Sequence, residues 1–146
     1  MSGRRLVIGF LGFLVLFFAG LVWFQLFAFY QRQRDVTALA VDGRPVPVAR
    51  YDGIDSTSSP LKLRGCLRLD PQAVAVLVPA PEATPLNAPF WFRCFDAGAL
   101  TGDLAAGTAK AYAIARDDPP GFDLMLAVYH DGRGYLWRQL GPDHAD

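Results

Sequence analysis

Cys66 and Cys94 are the only cysteines of the sequence and its most reactive side chains. They lie twenty-eight positions apart, one inside a strand-like run and one just before a helix start. A disulfide closing a loop of that length contributes about 3–4 kcal/mol by restricting the unfolded chain. Two other states are compatible with the composition: a pair of buried thiols, or a reactive thiol whose pKa is lowered by the basic residues around Cys66. The CxxC spacing of redox enzymes is absent, and two cysteines with no histidine close by cannot complete a zinc site. A disulfide is the expected state, and an even pair suits an oxidising compartment.

The second concentration of chemistry is basic. In LKLRGCLRL, residues 61–69, Leu61, Leu63, Leu67 and Leu69 alternate with Lys62, Arg64, Cys66 and Arg68. A strand with that period shows one apolar and one basic face. Arg93 joins the basic face if Cys94 is bonded to Cys66. The plainer reading is a solvated face paired with aspartates. The functional one is a docking patch for an acidic partner or for lipid headgroups, with Lys62, Arg64 and Arg68 as its residues.

Little else suggests catalysis. His130 and His144 have no serine or cysteine partner in a nucleophile motif. Asp52, Asp55, Asp117 and Asp118 fall in turn-like sequence, where aspartate is expected for its local hydrogen bonds. There is no phosphate loop, dinucleotide fingerprint or haem-attachment motif, so neither an enzyme nor a cofactor is expected.

The elements that must position these residues follow from the pattern after residue 35. VTALAV, an Asp42-Gly43 turn and PVPVARYDGID predict a hairpin, with Pro45 and Pro47 marking an edge. Asp70-Pro71 predicts a short helix over 72–77. Residues 79–89 hold four prolines and are irregular. Trp91, Phe92 and Phe95 are read as core pieces clamped by the disulfide. Asp96 caps a helix, AGALTGDLAAG, that Gly107 ends. TAKAYAIAR, FDLMLAVYH and RGYLWRQL then form a meander, with Asp131-Gly132 as its strongest turn signal. The fold class is α+β: an antiparallel sheet with one or two short helices.

Everything before this domain is organised by LVIGFLGFLVLFFAGLVWFQLFAFY, residues 6–30, which carries no charge and holds seven of the eleven phenylalanines. As a helix it spans a ~30 Å hydrocarbon layer with some tilt. The expected organisation is a cytoplasmic tail 1–5, a transmembrane helix 6–30, a juxtamembrane linker 31–35 and a periplasmic domain 36–146. Flanking charge barely orients the span, since Arg4, Arg5 and the amino terminus face Arg32, Arg34 and Asp35. A short basic N-terminus before a long apolar run, together with the cysteine pair, favours an N-in, C-out anchor. Arginine outnumbers lysine twelve to two, which suggests a high-GC bacterial genome and so a bacterial inner membrane. Cleavage after Ala40 is the alternative, but the apolar run is far longer than a signal sequence needs. Gly9, Gly12 and Gly20 leave gaps among large aromatics, as where another helix approaches.

The segments SSPLKLRGCLRL, TPLNAPFWFRCFDAGAL and DGRGYLWRQL resemble those of an uncharacterised family of small single-span membrane proteins from alphaproteobacteria. The resemblance implies an architecture and a source; it implies no activity. Residues 36–146 carry ten Lys/Arg against thirteen Asp/Glu, which argues against a nucleic-acid surface. The expected partners are the lipid bilayer and an integral-membrane protein complex. The expected role is a non-enzymatic accessory subunit or assembly factor; the alternative is a thiol-redox factor using Cys66 and Cys94.

Overall fold

The computed structural model describes residues 2–144, and the chain falls into two compact units that divide after Tyr30. The first is a single helix, α1 (Gly3–Leu26), exposed along nearly its whole length and about 36 Å long at 1.5 Å per residue. It takes in Arg4 and Arg5, which the sequence reading left in a tail. It ends four residues before the apolar run does. Phe27 leaves helical geometry at φ −130°, and residues 27–29 form a turn.

After this turn the chain forms β1 (Tyr30–Gln33), so most of the expected linker is an edge strand of the main sheet. It is fastened by charge. Asp52 accepts from Arg32 Nε at 2.9 Å and Nη2 at 2.8 Å, and Arg34 Nε lies 3.4 Å from the same carboxylate. The Arg32 fork holds the Asp52 carboxyl below its ordinary pKa, so the clamp is complete above the usual carboxylate range and is lost as pH falls through the lowered value.

The second unit is α+β. Its main sheet is antiparallel wherever the register is defined, with order β1-β4-β5-β8-β7-β6; a separate two-stranded sheet pairs β2 (Ala38–Val41) with β3 (Arg44–Pro47). The remaining strands are β4 (Ala49–Ser56), β5 (Arg64–Arg68), β6 (Ala109–Ala115), β7 (Phe122–Tyr129) and β8 (Arg133–Leu140). The β2–β3 turn has positive φ at both Asp42 (49°) and Gly43 (79°), the twist that a two-residue hairpin needs. At the β7–β8 turn Gly132 has φ +90°, and a Cβ there would sit 2.9 Å from the Leu69 carbonyl oxygen, which leaves glycine alone suited to the position.

Both faces of the sheet are buried. On one, Tyr51, Leu67, Tyr112, Ile114, Leu126, Val128 and Leu136 pack with Leu39, Val41 and Val46 of the hairpin. On the other, Ile54, Met125, Ala127 and Trp137 are almost fully enclosed. That face is covered by α2 (Ala97–Ala106) and by the irregular segment before it, whose Phe95 stacks edge-on against Tyr135 and Trp137. Asp96 caps α2 by accepting from Ala99 N at 3.0 Å, and Gly107 ends it in the left-handed conformation.

Two local expectations are corrected. Residues 61–69 do not form one strand: Pro60–Lys62 make a 3-10 turn capped by Ser59, and β5 begins at Arg64. Proline at the first helical position and the serine cap favour the turn over extension. The helix expected over 72–77 shrinks to a 3-10 turn, Pro71–Ala73. Asp70 does cap it, accepting from Gln72 N at 3.0 Å. The valines that follow have little tendency to extend a helix.

Candidate functional site

Cys66 and Cys94 are bonded, with Cα atoms 6.3 Å apart. Cys66 is half-buried on β5 and Cys94 is exposed. The bond fastens the segment before α2 onto the sheet, where Phe92 and Phe95 enter the core as expected. Trp91 is only half-buried and Phe90 is 71% exposed.

The expected basic face does not form as a unit. Arg64 is buried, and its guanidinium serves main-chain carbonyls: Nε donates to Leu86 O (3.0 Å), Nη1 to Leu61 O (2.5 Å) and Leu63 O (2.6 Å), and Nη2 to Asn87 O (2.9 Å). Lys62 is half-buried on the 3-10 turn, and Arg93 is exposed in the irregular segment. Arg68 remains exposed on β5. Strand alternation alone could not show this, because two of the four carbonyls that claim Arg64 belong to Leu86 and Asn87, more than twenty positions away.

The same logic orders the proline-rich segment. Gln139 Oε1 accepts from Thr84 N (2.8 Å) and from the buried Trp137 Nε1 (3.0 Å), while Gln139 Nε2 donates to Glu82 O (3.0 Å). Arg116 bridges Glu82 (2.6 Å) and buried Asp123 (2.9 Å). Its donated hydrogen bond holds the Glu82 carboxyl below its ordinary pKa. Ala80 N donates to Ala111 O at 2.8 Å, so the segment touches the outer edge of β6.

Beside that contact runs a groove of about 490 Å³. Its walls are Pro79, Ala80 and Pro81, the α2 residues Thr101, Leu104 and Ala105, and the start of β6. Val76 and Val78, just before the first wall, are 76% and 87% exposed. The groove went unnoticed in the sequence because its residues are small or proline and share no periodicity.

On the face that α2 covers, Tyr129 OH donates to Asp103 of α2, and the Arg133 guanidinium carbon lies 4.2 Å from the centre of the Tyr129 ring. Burial, then the bond to Asp103, pushes the Tyr129 phenol well above its ordinary pKa. Among the described residues no three His, Cys, Asp or Glu side chains are grouped to hold a metal ion. His130 and His144 are exposed. Gly9, Gly12 and Gly20 lie on α1, where an added Cβ would meet nothing within 4 Å.

These features define a class: an α+β domain with a disulfide-clamped antiparallel sheet, on a chain with a long apolar helix that has the length and composition to cross a membrane or to act as a signal sequence. Residues 35–144 match the model of a family described as a family of unknown function (DUF6446), and the chain belongs to that family. Neither a curated protein nor a solved structure matches it.

Proposed function

We propose that this protein is a single-pass bacterial inner-membrane protein whose periplasmic domain recruits a partner, as an accessory subunit or assembly factor of a larger integral-membrane complex, without catalysis of its own. The helix α1 is the anchor. Its retention is supported by the fold: cleavage after Ala40 would remove all of β2 but Val41, and β1 with its Arg32–Asp52 clamp. An N-in orientation is expected to give an active alkaline phosphatase when that enzyme is fused after residue 146. An inactive fusion, with a cytoplasmic reporter active at the same position, overturns the orientation.

The observation that carries partner binding is the groove beside β6, with the exposed Val76 and Val78 next to it. An exposed apolar groove with further apolar side chains beside it suits insertion of a partner's apolar side chains. Its occupant on this reading is a partner segment that inserts apolar side chains between α2 and residues 79–81. Leu104→Glu places a charge in the groove on a half-exposed helical position. It is expected to abolish co-purification of partners in mild detergent and leave the melting temperature within a few degrees of wild type. Gly20→Leu tests the competing site on the span. If Gly20→Leu removes the partners and Leu104→Glu does not, recognition resides in α1.

A further inference from the structure

Three arginines distant in sequence, Arg50, Arg68 and Arg133, converge on one concavity of about 200 Å³ beside the disulfide, which is also lined by Cys66, Leu67, Gly134 and Tyr135. The strand register brings them together. Arg68 stands directly opposite Arg133 across the β5–β8 ladder, and Ala49 stands opposite Arg68 across β4–β5. A register shift follows between Ala49 and Asp52, which makes Arg50 the residue after that pair.

Each part of this arrangement is unfavourable in an empty protein. Like charges directly opposite on neighbouring strands repel. Arg50 holds φ +52°, a left-handed conformation that a side chain with a Cβ adopts at a cost. The acid bonded here is Asp131, whose carboxylate takes Arg133 Nε at 2.8 Å; Arg68 reaches only the Asp131 main-chain oxygen, at 3.3 Å. The Arg50 guanidinium has no hydrogen bond or ion pair among the described residues. Asp131 balances Arg133, so Arg50 and Arg68 leave an excess of positive charge beside the cavity.

We infer that this cavity is a binding site for a phosphate group. A carboxylate offers two oxygens in one plane, whereas the tetrahedral oxygens of a phosphoryl group accept from several forks approaching from different strands. The cavity has room for such a group with a small substituent. The phosphate of a lipid headgroup and free phosphate share this chemistry. The inference is independent of the groove beside β6, which lies on other elements.

The test uses the full chain in neutral detergent, titrated at constant ionic strength with inorganic phosphate and, separately, with short-chain phosphatidylglycerol; sodium chloride is the control. Tryptophan fluorescence during thermal unfolding is the readout. A saturable rise in melting temperature is expected with at least one of the two probes and not with chloride. A rise with phosphate shows that the free ion suffices; a rise with the lipid alone assigns the site to a headgroup. Arg50→Gly and Arg68→Gln should each weaken the apparent affinity about tenfold. With chloride alone, Arg50→Gly should melt no lower than wild type, because glycine relieves the left-handed strain. Arg44→Gln, on the hairpin, should change nothing. The site is refuted if neither probe gives a saturable rise, or if both cavity variants respond as wild type does.

Discussion

The Cys66→Ser, Cys94→Ser double variant is expected to melt about 15 °C below wild type. The bond closes a loop with a sequence separation of 28, and loss of that constraint on the unfolded chain costs about 3–4 kcal/mol. For a domain of this size roughly 0.2 kcal/mol corresponds to one degree near the transition. The loss falls on the segment carrying Phe92, Phe95 and the α2 cap, so exchange protection should drop first over residues 90–106. Tryptophan fluorescence during heating, with and without reductant, provides the measurement. A shift below about 5 °C would mean that Arg64 and Gln139 hold the segment without the bond. Thiol titration of the unreduced protein in denaturant should find no free thiol. One reactive thiol there would remove the disulfide and return weight to redox chemistry at Cys66 or Cys94.

Much of the domain was legible because its signals are local. Asp96 and Gly107 bracket α2, and Asp42-Gly43 and Asp131-Gly132 mark the hairpins, each through the conformation of one or two residues. Apolar alternation in FDLMLAVYH and RGYLWRQL identified strands, although both of their faces are buried in the fold: small residues such as Ala127 and Gly134 leave room for a second layer. The misses share another cause. β1 was read as a linker because QRQR is polar, yet its place in the sheet is held by Asp52, some twenty residues on. The basic face was inferred from alternation along one strand. Its actual counterpart, Arg50, Arg68 and Arg133, exists only through register across three strands and an irregularity in one of them. Periodicity reports what one element presents; it is silent on which distant carbonyl or charge will meet it.

Arg64 and Arg68 illustrate this four residues apart, and their methionine variants should separate sharply. Arg64→Met is expected to destabilise the domain by roughly 3–5 kcal/mol, because hydrogen bonds from a charged donor contribute about 1.5–3 kcal/mol each and buried carbonyls left without a donor cost a further 1–3, with little additivity between them. Four main-chain oxygens lose their donor at once: Leu61 and Leu63 beside the 3-10 turn, Leu86 and Asn87 in the proline-rich segment. The Phe95 ring, 5.8 Å from the guanidinium carbon, loses its cation as well. Arg64→Lys should recover only part of the loss. An ammonium group carries the charge but cannot spread donors over carbonyls on two separate segments, which the planar guanidinium does. Arg68→Met, exposed and bonded to a single main-chain oxygen, should stay within about 0.5 kcal/mol of wild type. Urea unfolding of the three variants in the same detergent measures the differences, and hydrogen exchange over residues 61–63 and 86–87 locates them. Equal, small losses at Arg64 and Arg68 would return Arg64 to a solvated basic face and leave the proline-rich segment held by Gln139, Arg116 and the disulfide alone.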